Sequence, residues 1–300
     1  MSAFTSTYLD LGTPCHWLRG NHHGHSTASD GSLEPLEVVR AYEQAGYQYL
    51  ALSEHDRLLD PAPLQTRTGM CLLPAVEVTS CSNQTLMHLG VTAALPARQL
   101  APRQIMEEVE AGGGLFVFDH PNWKPRPDYA TDELLDTMEG LRGMEIYCGV
   151  IERIAGQARA TDRWDRLLSK GWRVFGHGTD DQHEPGDHFV AWNCVQWPEG
   201  VPVNAPGIIS ALGAGRFYAS TGVAIGRVGL DSQGRAVVES DAAVLHWVKR
   251  DGTIFKKVKS GSDQLHIEEV GDPSEALYAR AECLGRGNAM AFTQPFWIEA

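Results

Sequence analysis

Residues 47–56, YQYLALSEHD, follow the segment LEPLEVVRAYEQAG at 33–46, and this pair sets the pattern for the first two thirds of the chain. The earlier segment carries apolar residues near a 3.6-residue period and closes on Gly46, as a helix does. The later one is a short apolar run that turns polar at its end, the profile of a buried strand whose C-terminal end reaches a site. Helix feeding strand in this way predicts a parallel sheet or barrel.

The alternation continues through CLLPAVEVTS (71–80), MHLGVTA (87–93), the helical ARQLAPRQIMEEVEAGGG (97–114), LFVFDHP (115–121), DELLDTMEGL (132–141), GMEIYCG (143–149), ATDRWDRLLSKG (160–171) and WRVFGHGTDDQH (172–183). After about residue 215 the pattern changes to short, alternating runs such as RFYASTGV, RAVVES and MAFTQPFWIEA, separated by turns at DSQGR and KRDGT. Two domains are expected: an α/β unit over 1–215, and an antiparallel β module, a small sandwich, over 216–300.

A 43% hydrophobic chain of 300 residues can bury a sizeable core, while its net charge of −13 argues against a nucleic-acid duplex as partner. Neither a signal-peptide profile nor a run of apolar residues long enough for a membrane span is present, so a soluble, cytoplasmic protein is expected. Six scattered cysteines form no C-x-x-C pair and read as reduced thiols.

In parallel α/β folds, catalytic groups gather where strands end. His23 and His25 follow the first predicted strand, His55 lies in SEHD, Glu77 ends LPAVE, His88 begins MHLGV, His120 lies in FDHP, and Asp181 and His183 lie in TDDQH. Each residue alone is more simply a hydrogen-bonded structural group. Together they form a set suited to Zn, Mn or Fe, and an H-x-H spacing puts both rings on one side of an extended segment. His22-His23-Gly24-His25 offers two ways to choose that pair, and Asp180 competes with Asp181; spacing favours His23 and Asp181.

The order NHHGHSTASDGS, LALSEHD, LLPAVEVTS, MHLGV, FDHPNW, GTDDQH resembles the polymerase and histidinol phosphatase (PHP) superfamily of metal-dependent phosphoesterases, over roughly residues 18 to 190. The tail, with GRFYASTGV and ALYARAECLGRGNAMAFTQPFWI, is similar to the β module of the branch that includes carbaryl hydrolases. The resemblance implies a distorted (β/α)7 TIM-like barrel holding two to three divalent ions. It assigns His23 and His25 to a first metal, Asp30 and His55 to a second, Glu77 as bridge, His88 and His120 to a third, and Asp181 with His183 as the closing pair. Glu54 stands where the motif usually has Asp, at a position that orients an imidazole.

The expected activity is hydrolysis of a small phosphomonoester or phosphodiester by a metal-bridged hydroxide. Glu77 would hold the metals, and Asp181 or His177 would assist the leaving group. Arg57, Lys124, Arg126, Arg153 and Arg159 are the cations near the motifs that could meet phosphate. The alternatives are hydrolysis of a carboxylic ester, carbamate or amide by the same cluster, and a non-catalytic metal-binding module.

Overall fold

A computed structural model describes residues 2–124 and 129–299. The fold is mixed α/β, with one large sheet and a second sheet of three strands. After the short strand β1 (Ala3–Thr5), three strands run parallel: β2 (Cys15–Asn21), β3 (Tyr49–Leu52) and β4 (Cys71–Thr79). The helix Pro35–Gln44 links β2 to β3. It starts on a proline, which has no amide hydrogen to lose in the first turn, and buries Val38, Val39 and Tyr42 against Leu50 and Leu72.

The uniformly parallel sheet expected from the sequence breaks at β5 (Thr85–Leu89), which runs antiparallel to both β4 and β6 (Leu115–Phe118). A tight turn is the cause: Asn83, one of the few residue types that tolerate φ near +65°, returns the chain, and Ser80 N donates to Gln84 O. Parallel pairing resumes through β7 (Gly143–Cys148) and β8 (Phe175–Thr179).

The sheet curls around an apolar interior that includes Ala51, Ala75, Met87, Val117, Phe175 and Val195, with Ile208 and Leu212 of the helix Ala205–Gly213 packed into it. Among the described residues, β8 makes no main-chain ladder with the strands on its far side, β9 (Trp192–Pro198) and β10 (Phe217–Ser220). Two side-chain amides take that place. Asn193 Nδ2 donates to Gly178 O (2.7 Å) and its Oδ1 accepts from Gly178 N (3.0 Å), while Gln294 pairs with both groups of Gly176 at 2.9 Å. Each carboxamide mimics one residue of a missing strand and satisfies buried backbone groups that would otherwise be unpaired.

The C-terminal strands are β11 (Ile225–Leu230), β12 (Ala236–Ser240), β13 (Val244–Lys249), β14 (Thr253–Val258), β15 (Ser262–Leu265), β16 (Tyr278–Leu284), β17 (Met290–Phe292) and β18 (Phe296–Glu299). The three-stranded sheet β11-β12-β15 supplies Val228, Val238 and Leu265 to a core shared with Leu245, Trp247 and Ala281, so two β layers face each other. No break in the ladder marks residue 215. β10 pairs with β9 on one side and β17 on the other, and β1 pairs with β18, so the N-terminal strand lies among the C-terminal ones. An ion network with a buried centre joins a helix of the first part of the chain to β16. Arg280 of β16 pairs with Asp165 of the helix Thr161–Leu168 (2.6 Å) and with Glu282 (2.9 Å), and Arg159 also meets Glu282 (2.6 Å).

Among the described residues, no helix is long and apolar enough to cross a membrane.

Candidate metal centre

Four chain segments meet at one end of the curled sheet and are laced by backbone hydrogen bonds. His25 N donates to Gln182 O (3.0 Å) and Asp181 N to His23 O (3.0 Å), so the H-x-H and D-x-H segments lie side by side as a short parallel bridge. Ser53 N donates to Gly24 O (2.8 Å), Glu77 N to Ser53 O (3.0 Å), and Asp56 N to Glu77 O (2.9 Å). Gly31 permits the return of the loop between them, because a Cβ there would lie 2.7 Å from the backbone of His25. Asp181 (φ 51°) and His120 (φ 27°) hold left-handed backbones that non-glycine residues seldom adopt, the kind of strain that clusters at functional sites.

Three overlapping groups of ligand atoms result: His23, His25, Glu77 and Asp181, all buried; His25, Asp30, His55 and His183, which opens to solvent; and a buried trio of His23, Asp119 and Glu145. Glu77 Oε2 lies 3.0 Å from His55 Nδ1, 3.2 Å from His25 Nε2 and 3.4 Å from His23 Nε2, and Glu77 Oε1 lies 3.4 Å from His120 Nε2. Asp181 Oδ1 is 3.1 Å from His25 Nε2 and 3.2 Å from His23 Nε2. Asp30 lies 3.5 Å from His55 and 3.4 Å from His183.

The atoms of the first set, His23 Nε2, His25 Nε2, Glu77 Oε2 and Asp181 Oδ1, are all buried without a hydrogen-bond partner, and all lie within 4.8 Å of one another. Buried polar atoms are normally satisfied, and four orphaned donor atoms of this chemistry, aimed at one another, fit a divalent cation.

The surroundings favour positive charge. Burial opposes protonation of His23, but Asp181, Glu145 and Glu77 outweigh it and hold the imidazolium well above the usual histidine range. The same contest at His55, between burial and Glu77 with Asp30, leaves it pushed up to about 11. Hydrogen bonds from His183 and His55 hold Asp30 well below the usual carboxylate range. The same imidazole nitrogens and carboxylate oxygens would hold a divalent ion in place of these protons.

Supporting groups fix the ligands. Glu145 accepts from His23 Nδ1 (2.7 Å), His120 N (2.7 Å) and Thr179 Oγ1, which turns His23 Nε2 toward the cluster. Glu54 does not reach an imidazole itself: it binds the hydroxyls of Ser26 and Ser29, and Ser29 Oγ lies 3.4 Å from His25 Nδ1. The longer acid therefore acts through a serine. His183 Nδ1 lies 2.9 Å from Asp181 O, which orients its ring.

Two expected residues stand elsewhere. His88 pairs in register with Val76, next to Glu77 on β4, so its side chain projects from the opposite face of the sheet, beside Val76, Val78 and Val91. It cannot ligate a third metal with His120. His177 is fully buried beneath the cluster, its ring on Phe217 (4.6 Å between centroids) and His22 (5.0 Å), and burial pushes it well below the usual histidine range. A neutral ring that does not line the cleft is no proton donor to a leaving group. His22 packs on this pair and meets Asn193 (3.3 Å). Asp180 accepts from Tyr42 and the amides of residues 189–191, which ties a helix to a loop away from the cluster.

Sequence reasoning missed Glu145 and Asp119. Glu145 lies inside the otherwise apolar strand GMEIYC and Asp119 directly follows the apolar LFVF, and that anomaly was the available signal. Asp119 is fully buried with both oxygens unpartnered, and burial beside Glu145 pushes its carboxyl well up.

Among the cations near the motifs, Arg153 lines the cleft over the cluster, with its fork on Asp187 (2.6 and 2.9 Å). Arg159 turns to Glu282 and Arg57 to Ala28 O, while Lys124 is exposed. Arg126, and part of the expected specificity loop NWKPRPDYAT, lie outside the described residues.

No family model matches the chain. An alignment 124 positions long, spanning 35% of the chain, is 32% identical to a 3',5'-nucleoside bisphosphate phosphatase of Chromobacterium violaceum and covers 44% of that protein. An alignment 62 positions long, spanning 19% of the chain, is 45% identical to a 5'-3' exoribonuclease of Haemophilus influenzae and covers 22% of it. The chain thus spans less than half the length of the curated relatives it matches. In fold, 97% of the chain aligns with 91% of a two-domain protein from Bacteroides vulgatus, described as containing a predicted PHP-like metal-dependent phosphoesterase, at a TM-score of 0.54 and 18% identity. At 18% identity the neighbour shows that the chain shares its fold.

Proposed function

We propose that the chain is a metal-dependent hydrolase of a small phosphomonoester or phosphodiester, with His23, His25, Glu77 and Asp181 holding one divalent ion and His25, Asp30, His55 and His183 framing a second. The convergence of four buried, unpartnered ligand atoms carries this reading. With His88 on the far face of the sheet and Glu145 engaged by His23 Nδ1, His120 N and Thr179, the two four-residue groups are the sets that frame the ions. Bound Mn, Zn or Fe would supply Lewis-acid polarisation of the phosphoryl group and of water.

The chain's own residues do the rest. Glu77, whose two oxygens face His55, His25, His23 and His120, spans both sets and fixes their separation. Glu145 and the Glu54–Ser29 pair keep the His23 and His25 rings turned toward the cleft. Of the two proton carriers expected from the sequence, Asp181 faces the cleft. Arg153, on the cleft wall, is the cation best placed to meet a phosphate oxygen. A small-molecule substrate suits an open cleft of about 400 Å³.

Metal analysis joined to a substrate panel tests this. The purified protein is expected to carry about two ions per chain, to release phosphate from a phosphoester, and to lose both in His25→Ala. Undiminished turnover by metal-stripped protein overturns the reading. Turnover of aryl esters or carbamates with none of phosphoesters transfers it to the carboxyl-ester alternative.

A further inference from the structure

The cleft has two kinds of lining. Asp30, His55, Glu77, Asp181 and His183 are charged or ligating, whereas Trp123, Val150 and Ile154 are apolar, with Trp123 packed against Val150 and Ile154 N bonded to Val150 O. Ile154 is 41% exposed, one of few large apolar side chains so placed among the described residues, and it stands beside a cluster of charges.

This apolar wall is built rather than incidental. The segments at 122–124 and 155–157 are joined as a short antiparallel bridge, with Lys124 N donating to Ala155 O (3.0 Å) and Gln157 N to Asn122 O (3.2 Å). Gly156 makes the approach possible: it holds φ 141°, and a Cβ there would sit 2.5 Å from Asn122 O. Trp123 packs edge-on to His120 (5.1 Å) and Tyr129 (5.2 Å), so its ring has little freedom to lose when it meets a ligand.

A second anionic group is poorly served on this side. Among the described residues lining the cleft, Arg153 is the only arginine or lysine, and its fork already holds Asp187. Glu184 adds a further negative charge at the rim.

We infer that this wall receives a flat apolar leaving group, so that the substrate is an aryl phosphoester and not a bisphosphate of the kind named for the Chromobacterium relative; the inference rests on the phosphoester reading above. With the phosphoryl group at the ligand cluster, the ring lies against Trp123 and Ile154, where it covers apolar surface that water otherwise wets.

Binding of inert phosphonates to the Mn-loaded full chain, followed by calorimetry, separates ring from charge without any effect of leaving-group reactivity. Phenylphosphonate is expected to bind roughly tenfold or more tighter than methylphosphonate, as burial of one aromatic ring implies. It is also expected to bind tighter than 2-carboxyethylphosphonate, which offers a second anion. Ile154→Ser, a change at an exposed position, and Trp123→Ala should each reduce the phenyl-over-methyl preference by about threefold or more. Equal affinities, a preference for the carboxyethyl compound, or a phenyl preference unmoved in both variants overturns the inference. If phosphoesters are hydrolysed while the phenyl preference is missing, only this inference falls; if no phosphonate binds and no phosphoester is turned over, the functional reading falls with it.

Discussion

The cluster around Glu77 and the network around Arg280 are both buried assemblies of charge, and their construction differs in one respect. Around Arg280, each charged group faces an opposite one: Arg280 meets Asp165 and Glu282, Arg159 meets Glu282, and the Tyr278 hydroxyl donates to Asp165. Around Glu77, imidazoles and carboxylates converge with donor atoms left over. Buried ion pairs with complete hydrogen bonding hold parts of a fold together, whereas leftover ligand atoms mark a place prepared for something else. The difference yields opposite predictions for substitutions of the same chemical kind.

The largest effect is expected at Glu77. Glu77→Gln removes the carboxylate charge common to four imidazole neighbours, so bound metal and hydrolytic turnover should fall by about a thousandfold or more, on the scale of losing a principal electrostatic group. The metal-free variant also loses the pairing of Glu77 with the His23 and His55 imidazoles, so it should melt below the metal-free parent, but by less than Asp165→Ala does. Metal content, turnover and melting temperature measured together decide it. A large loss of stability in the metal-free state would show the cluster to be structural.

Asp165→Ala should behave in the reverse sense. It leaves Arg280 buried without its main partner, and breaking such a pair costs about 3–5 kcal/mol, while folded molecules retain their metal. The acid limb of stability belongs to this network as well. Burial raises the Glu282 carboxyl, but Arg280 and Arg159 outweigh it and hold the pKa below its ordinary value. The unfolded chain therefore takes up a proton first as pH falls, so this contribution is complete above the ordinary carboxylate range and is lost as pH drops through the folded value. Denaturant midpoints from pH 6 to pH 3 should fall in the parent and fall less in Glu282→Gln.

A smaller cost is expected from Gln294→Leu, which removes the amide clip from Gly176 and leaves one backbone N–H and one C=O unpaired in a buried setting, worth about 2 kcal/mol. Since β8 leads directly to Asp181 and His183, the variant should also bind metal more weakly. Unchanged stability would mean that water can replace the amide at that edge.

That clip marks the limit of what the sequence could reveal. The two x-spaced pairs, Glu77 and His55 were legible because ligand chemistry restricts residue type and the strand period restricts direction. Glu145 was not, because a lone acid in an apolar strand reads equally as a ladder partner or an ion-pair member. Gln294 lies 118 residues from Gly176, and no local pattern announces that a side-chain amide will complete a sheet. The antiparallel β5 escaped for a related reason: MHLGV has the same composition whichever way it runs, and a single left-handed Asn83 decides the direction.

The register of β5 also governs the smallest expected effect. A shift of one residue in a strand exchanges its two faces, so the assignment of His88 to a metal depended on a register that the sequence does not contain. With Met87 opposite Glu77 and His88 opposite Val76, the imidazole stands among valines, its Nδ1 without a partner, and burial lowers its pKa to about 4. His88→Leu therefore replaces a poorly satisfied polar ring with an apolar side chain in an apolar setting, and metal content and turnover should stay within about twofold of the parent, with stability level or slightly raised. The sign of the pH effect follows. Between pH 6.5 and 4 the unfolded chain protonates His88 while the folded chain does not, so acidification over that window costs the parent stability that the variant keeps. Loss of a metal ion from His88→Leu would reverse the register argument and restore a third site beside His120.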